Sequence, residues 1–200
     1  ILDEDEERIE GHRPEWIIAA GFAGGLQPEL QRHHMLMADG LLDRSGNRLA
    51  VDLKVDPEAL RQTPGLHVGP LLSAAEVVRE PEQKAALGRE HGALAVDLES
   101  FAVGEVCSRR AARLLAVRVV SDPVDERMPD DVQKLSQPKT ELRRWGAAVG
   151  TVWRRPSSFK DMMQLKENAL VSSERLAKFL AGIIEQLAPA AEEEPEGGAT

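Results

Sequence analysis

The chain has a single cysteine, Cys107, so no internal disulfide holds it, a usage that suits a reducing cytoplasm. No apolar run approaches the roughly 20 residues that a membrane-spanning helix needs. Basic residues are in deficit: 25 Lys and Arg against 34 Asp and Glu leave a formal net charge of −9. That balance argues against a nucleic-acid backbone as the main partner, because neutralising phosphates takes a basic face. There is no internal repeat, no P-loop lysine, no GxGxxG turn, and no GxSxG elbow around Ser100 or Ser121, which sets aside several common enzyme designs. His33-His34 does not make a metal site, since adjacent strand residues point to opposite faces and no third ligand stands at suitable spacing. No secretory pattern precedes the first predicted strand, and the expected location is the cytoplasm.

What is present is enough for one ordinary domain. Two hundred residues, 42% of them hydrophobic and 30% charged, can bury about 70% of the surface of the unfolded chain. The acidity is concentrated at Asp3 to Glu7 and at Glu192 to Glu196. The second run, with Pro195, Gly197 and Gly198, reads as a solvated tail over 189–200 that follows a domain spanning 1–188.

Along the chain, Ile1 to Arg13 reads as a charged helix and Trp16 to Ala20 as a strand closed by a glycine turn, Gly21-Phe-Ala-Gly-Gly25. Met35 to Ala38 and Leu49 to Asp52 flank turn chemistry at Asp43 to Asn47, the pattern of an exposed hairpin. Leu66 to Leu72 is a further strand, Glu82 to His91 a helix after Pro81, and Ala93 to Val96 the next strand. Helices are predicted near Thr140 to Val152 and over Glu167 to Leu187. The last carries Leu170, Leu176, Phe179, Leu180, Ile183, Ile184 and Leu187 as a packing stripe. Strands alternating with helices predict an α/β protein, and the hairpin makes its sheet mixed.

Two acids stand out. Ala93 to Val96 leads through Asp97 to Glu99, behind which Phe101, Ala102, Val103, Val106 and Cys107 recur at helical spacing. Leu114 to Val120 is a β-branched run that stops at Ser121-Asp122-Pro123, where proline removes a ladder donor. If those strands are parallel neighbours joined by the helix, Glu99 and Asp122 face one crevice at strand carboxyl ends, the usual ligand position of open α/β sheets. Singly, Glu99 is a first-turn acid and Asp122 a turn residue. Jointly, with the glycine turn at a third strand end, they favour a site. Cys107, mid-helix beside Val103 and Val106, reads as a small buried hydrophobe, and His12, His67 and His91 as surface or turn residues.

Val96-Asp-Leu-Glu-Ser100, Val119-Val-Ser-Asp-Pro123 and Gly21-Phe-Ala-Gly-Gly25 together resemble the superfamily of purine nucleoside phosphorylases and methylthioadenosine/S-adenosylhomocysteine nucleosidases. Ala93 to Pro129 and the C-terminal helices look most like its hopanoid-associated, phosphorylase-like branch. The resemblance implies a three-layer α/β/α sandwich with a mixed central sheet, homo-oligomerisation, and cleavage of a purine nucleoside or adenosyl conjugate with phosphate as co-substrate and no other cofactor; water in place of phosphate is the alternative, and a non-catalytic nucleoside-binding homologue the other. It implies that Glu99 holds the ribose hydroxyls and that Asp122 protonates or hydrogen-bonds the departing purine. Asp97, Leu98, Gly21, Phe22, Ala23, Ser121 and Val77 would line the substrate site.

The departures are also specific. Leu98 stands in place of a methionine, Val77 near an aromatic position, Phe22 where serine is common, Ala19 where hexameric phosphorylases have an arginine, and His33-His34 in place of Gly-Asp. The family also has a first strand and a glycine-containing loop ahead of the Trp16 strand. With Ile1 as first residue, the sequence is expected to be part of a longer product.

Overall fold

A computed structural model describes residues 14–51, 53, 62–128 and 156–187. Its central strand in chemical terms is β6 (Arg113–Asp122), because it is covered on both faces. Leu114, Ala116 and Val120 pack with Phe101 on one face, while Leu115, Val117 and Val119 pack with Leu176, Phe179, Leu180, Ile183 and Leu187 on the other. Double coverage explains why the run is almost continuously apolar where a half-exposed strand would alternate.

Around it lie β1 (Trp16–Gly25), β2 (Met35–Asp43), β3 (Arg48–Ala50), β4 (Leu66–Ser73) and β5 (Ala95–Asp97). Their order is β3-β2-β4-β5-β1-β6, and β2 also pairs with β6, so the mixed sheet curls back on itself. The helices are α1 (Pro81–His91), α2 (Ser100–Arg110) and α3 (Pro156–Leu187). Pro81 opens α1 and Gly92 closes it at φ 64°, a left-handed cap that glycine adopts without strain. The mixed sheet with helices on both faces is the α/β class expected from the sequence.

The hairpin of β2 and β3 forms as expected, with Asp43 accepting from the backbone of Ser45 and Asn47 at its tip. Three expectations need correction. Gly21 to Gly25 is not a turn: it continues β1, with Gly21 to Gly24 paired in parallel with Arg118 to Asp122 and Gly25 paired with Ala95. Glycine is used there for close approach, since a Cβ on Gly24 would stand 3.1 Å from Asp122 Oδ2. Second, β5 and β6 are not parallel neighbours. β1 lies between them, antiparallel to β5 and parallel to β6. Third, Leu170 and Ile184 are exposed and do not belong to the packed stripe of α3. The helices expected over Ile1 to Arg13 and Thr140 to Val152, and the acidic tail, lie outside the described residues. Among the described residues no helix is long and apolar enough to cross a membrane.

Candidate active site

The acids meet despite the antiparallel arrangement, because Gly24 pairs with Val96 on one side and with Asp122 on the other. The ends of β1, β5 and β6 thereby share one crevice of about 220 Å³. All nine residues singled out from the sequence line it: Gly21, Phe22 and Ala23 from β1, Val77 from the loop after β4, Asp97, Leu98 and Glu99 from the end of β5, and Ser121 and Asp122 from the end of β6.

Asp122 is buried, and Ser121 Oγ donates to its Oδ1 at 2.5 Å. The ammonium of Lys84, from α1, bonds its Oδ2. Burial pushes this carboxyl above the ordinary aspartate range, against the pull of Lys84 and of the Ser121 hydroxyl. An acid so placed can hold a proton and release it to a basic atom in the crevice. Lys84 itself has no exposed surface and also donates to the carbonyls of Pro123 at 3.0 Å and Glu126 at 2.8 Å.

Glu99 lines the same crevice and is exposed. It occupies the N-cap of α2 without making a side-chain cap bond. Its carboxylate can therefore accept from hydroxyls of a bound molecule. Phe22 and Leu98, 45% and 44% exposed, form apolar lips of the same crevice.

Asp97, which lines the crevice, is also built into the frame. Its Oδ2 accepts from Arg118 Nε at 2.9 Å, with Nη2 of the same guanidinium 2.8 Å away in an ion pair, and its Oδ1 accepts from Ser73 Oγ at 2.6 Å. It also takes the backbone N–H of Ser100, at 3.3 Å and 3.2 Å to its two oxygens, so it satisfies an orphan donor at the start of α2. Arg118 donates further to Ser100 Oγ at 2.7 Å and to the carbonyl of Ala19 at 2.9 Å. Among the described residues it is the one cation lining the crevice, and Asp97, Ser100 and the backbone engage all three of its nitrogens. The Ser121 hydroxyl is likewise engaged, by Asp122 and by the carbonyl of Ala23 at 3.2 Å.

Lys84 and Arg118 were not singled out from the sequence, though both left a signal. Lys84 precedes Leu87 and Gly88 by three and four residues, which puts it on the buried face of α1. Arg118 interrupts the apolar run of β6 and so needed a buried partner. Elsewhere, His67 lies within β4 rather than in a turn, its Nε2 2.9 Å from His34 Nδ1 with the rings stacked. His33 Nδ1 lies 2.8 Å from Ser172 Oγ on α3. Cys107 is buried as expected, which raises its thiol above the ordinary range.

Residues 5–141 match the family model described as the phosphorylase superfamily. No curated protein matches the chain significantly. Among solved structures, the chain is similar to the 5′-methylthioadenosine/S-adenosylhomocysteine nucleosidase of Helicobacter pylori, at 20% identity over 92% of this chain and 74% of that one, with a TM-score of 0.64. It is also similar to the futalosine hydrolase of the same organism, in a mutant structure, at 18% identity over 92% and 75%, TM-score 0.64. The Arabidopsis thaliana 5′-methylthioadenosine nucleosidase gives 15% over 94% and 68%, TM-score 0.65. At these identities the likeness is one of fold.

Proposed function

The chain belongs to the phosphorylase superfamily, and from that membership and its crevice we propose that it cleaves the N-glycosidic bond of a purine nucleoside or adenosyl conjugate. The observation that carries the proposal is the presence of a buried acid and an exposed one in a single crevice: Asp122, with its carboxyl pushed up by burial, and Glu99. Cleavage builds oxocarbenium character on the sugar and negative charge on the base. Asp122 protonates the departing purine, and its O–H pair remains on the carboxylate. Glu99 accepts from the ribose hydroxyls and fixes the sugar for attack, a positioning effect that can contribute several kcal/mol. Leu98, Phe22 and Val77 supply apolar walls; Gly21 and Ala23 form the strand floor.

For the acceptor, the resemblance in sequence suggests phosphate, and homo-oligomerisation goes with it. A specific observation favours water: Arg118, the cation at hand among the described lining residues, is engaged by Asp97. The similar solved proteins bear the names of nucleosidases and a hydrolase, which supports the same choice. The test is purine release from adenosine-type nucleosides, measured with and without phosphate. Equal release in both supports hydrolysis, and release that requires phosphate replaces it with phosphorolysis.

A further inference from the structure

Asp122 is held from behind by a residue that does not line the crevice. Lys84 projects from α1, has no exposed surface, and spends its three protons on Asp122 Oδ2 and on the carbonyls of Pro123 and Glu126. An ammonium has three donors and no acceptor, so this coordination is complete. Its two backbone bonds fix the turn that follows Asp122, and its third holds Oδ2 while Ser121 holds Oδ1. Gly24 leaves room for that oxygen, as a Cβ there would be 3.1 Å from it.

Resting on the functional reading above, we propose that Lys84 is the positioning residue of the acid: it orients Asp122 and stabilises the carboxylate left when the proton has passed to the base. In that step the Asp122 O–H bond breaks, an N–H bond forms on the purine, the electrons of the C1′–N bond leave with the base, and the oxygen of the acceptor water bonds C1′ as its proton passes to solvent. The negative charge that appears on Asp122 then faces a fixed positive charge, with no reorganisation needed. Burial alone would make Asp122 a weak acid, and Lys84 opposes that effect. The other charged groups around Asp122 are Glu126 in the following turn, which Arg32 binds, and Glu76, Asp97, Glu99 and Arg118 along the crevice. Among the charged groups of the described residues, Lys84 is the one whose bond to the carboxylate is seen.

Lys84→Gln separates the two roles, because the amide keeps donors for the backbone carbonyls and loses the charge. In the full chain, the Asp122 carboxyl is titrated by carbon NMR in wild type and variant. Its midpoint is expected to rise by about one pH unit or more, the size of shift that a contacting charge produces. The alkaline limb of kcat/KM follows it upward, and kcat falls about tenfold or more with KM within about twofold, as befits a weakened proton donor. Lys84→Arg is expected to restore both the titration and the limb. An unmoved midpoint in folded Lys84→Gln, or in Lys84→Met if the Gln variant does not fold, overturns the proposal. So does loss of fold in both uncharged variants when Lys84→Arg folds without the wild-type titration. If wild type releases no base, the functional reading fails alone, while the titration still reads the pair.

Discussion

Arg118 Nη2 lies 2.8 Å from Asp97 Oδ2, and both of these crevice-lining side chains are buried. Breaking such a pair from one side leaves an unpaired buried charge. Arg118→Met is therefore expected to destabilise the protein by about 3–5 kcal/mol, measured by urea unfolding. A loss below about 1 kcal/mol, the usual worth of an exposed pair, would show that the ion pair is not the frame of the β5–α2 junction.

Glu99 is expected to matter for substrate and not for stability, since it is exposed and makes no cap bond. Glu99→Gln should lower kcat/KM for a ribonucleoside by about 10- to 100-fold, the worth of a hydrogen bond to a charged acceptor. Substrates lacking a ribose hydroxyl should suffer in wild type and lose little more in the variant, because the two changes remove one interaction. Additive losses would place Glu99 away from the sugar.

His67, stacked on His34, gives the fold an acid-side weakness. His67 is lowered below the ordinary histidine value of 6.5, by burial first and then by His34, with Glu29 opposing. A histidine lowered on folding is protonated more readily in the unfolded chain, so its contribution is present above about pH 6.5 and is lost as pH falls through the lower folded value. His67→Gln should then lose less stability than wild type between pH 7.5 and pH 5.5, followed by urea unfolding at each pH. Parallel losses would remove His67 from the acid response.

Much of this was legible in the sequence because the relevant signals are local. Pro81 and Gly92 bracket α1, turn residues mark the hairpin tip, and the runs before Glu99 and Asp122 are apolar and short. What was not legible depended on strand order. The sequence places Glu99 and Asp122 at strand ends, but only the insertion of β1 between β5 and β6 reveals that Gly24 brings them together. The glycines of β1 read as a turn because glycine permits positive φ, whereas here they admit the side chains of Asp122 and Arg118. The frame role of Asp97 was not legible because its buried partner, Arg118, is 21 residues away. Lys84 was hidden by charge: a lysine on an apolar helix face reads as surface unless its acceptors are known.

The most direct test of the account is purine release by Asp122→Asn, an isosteric change that removes the proton and keeps the shape. The account predicts that the variant stays folded and releases base at least about 100-fold more slowly than wild type, the range for loss of a general acid. Turnover unchanged in a folded Asp122→Asn protein would contradict it.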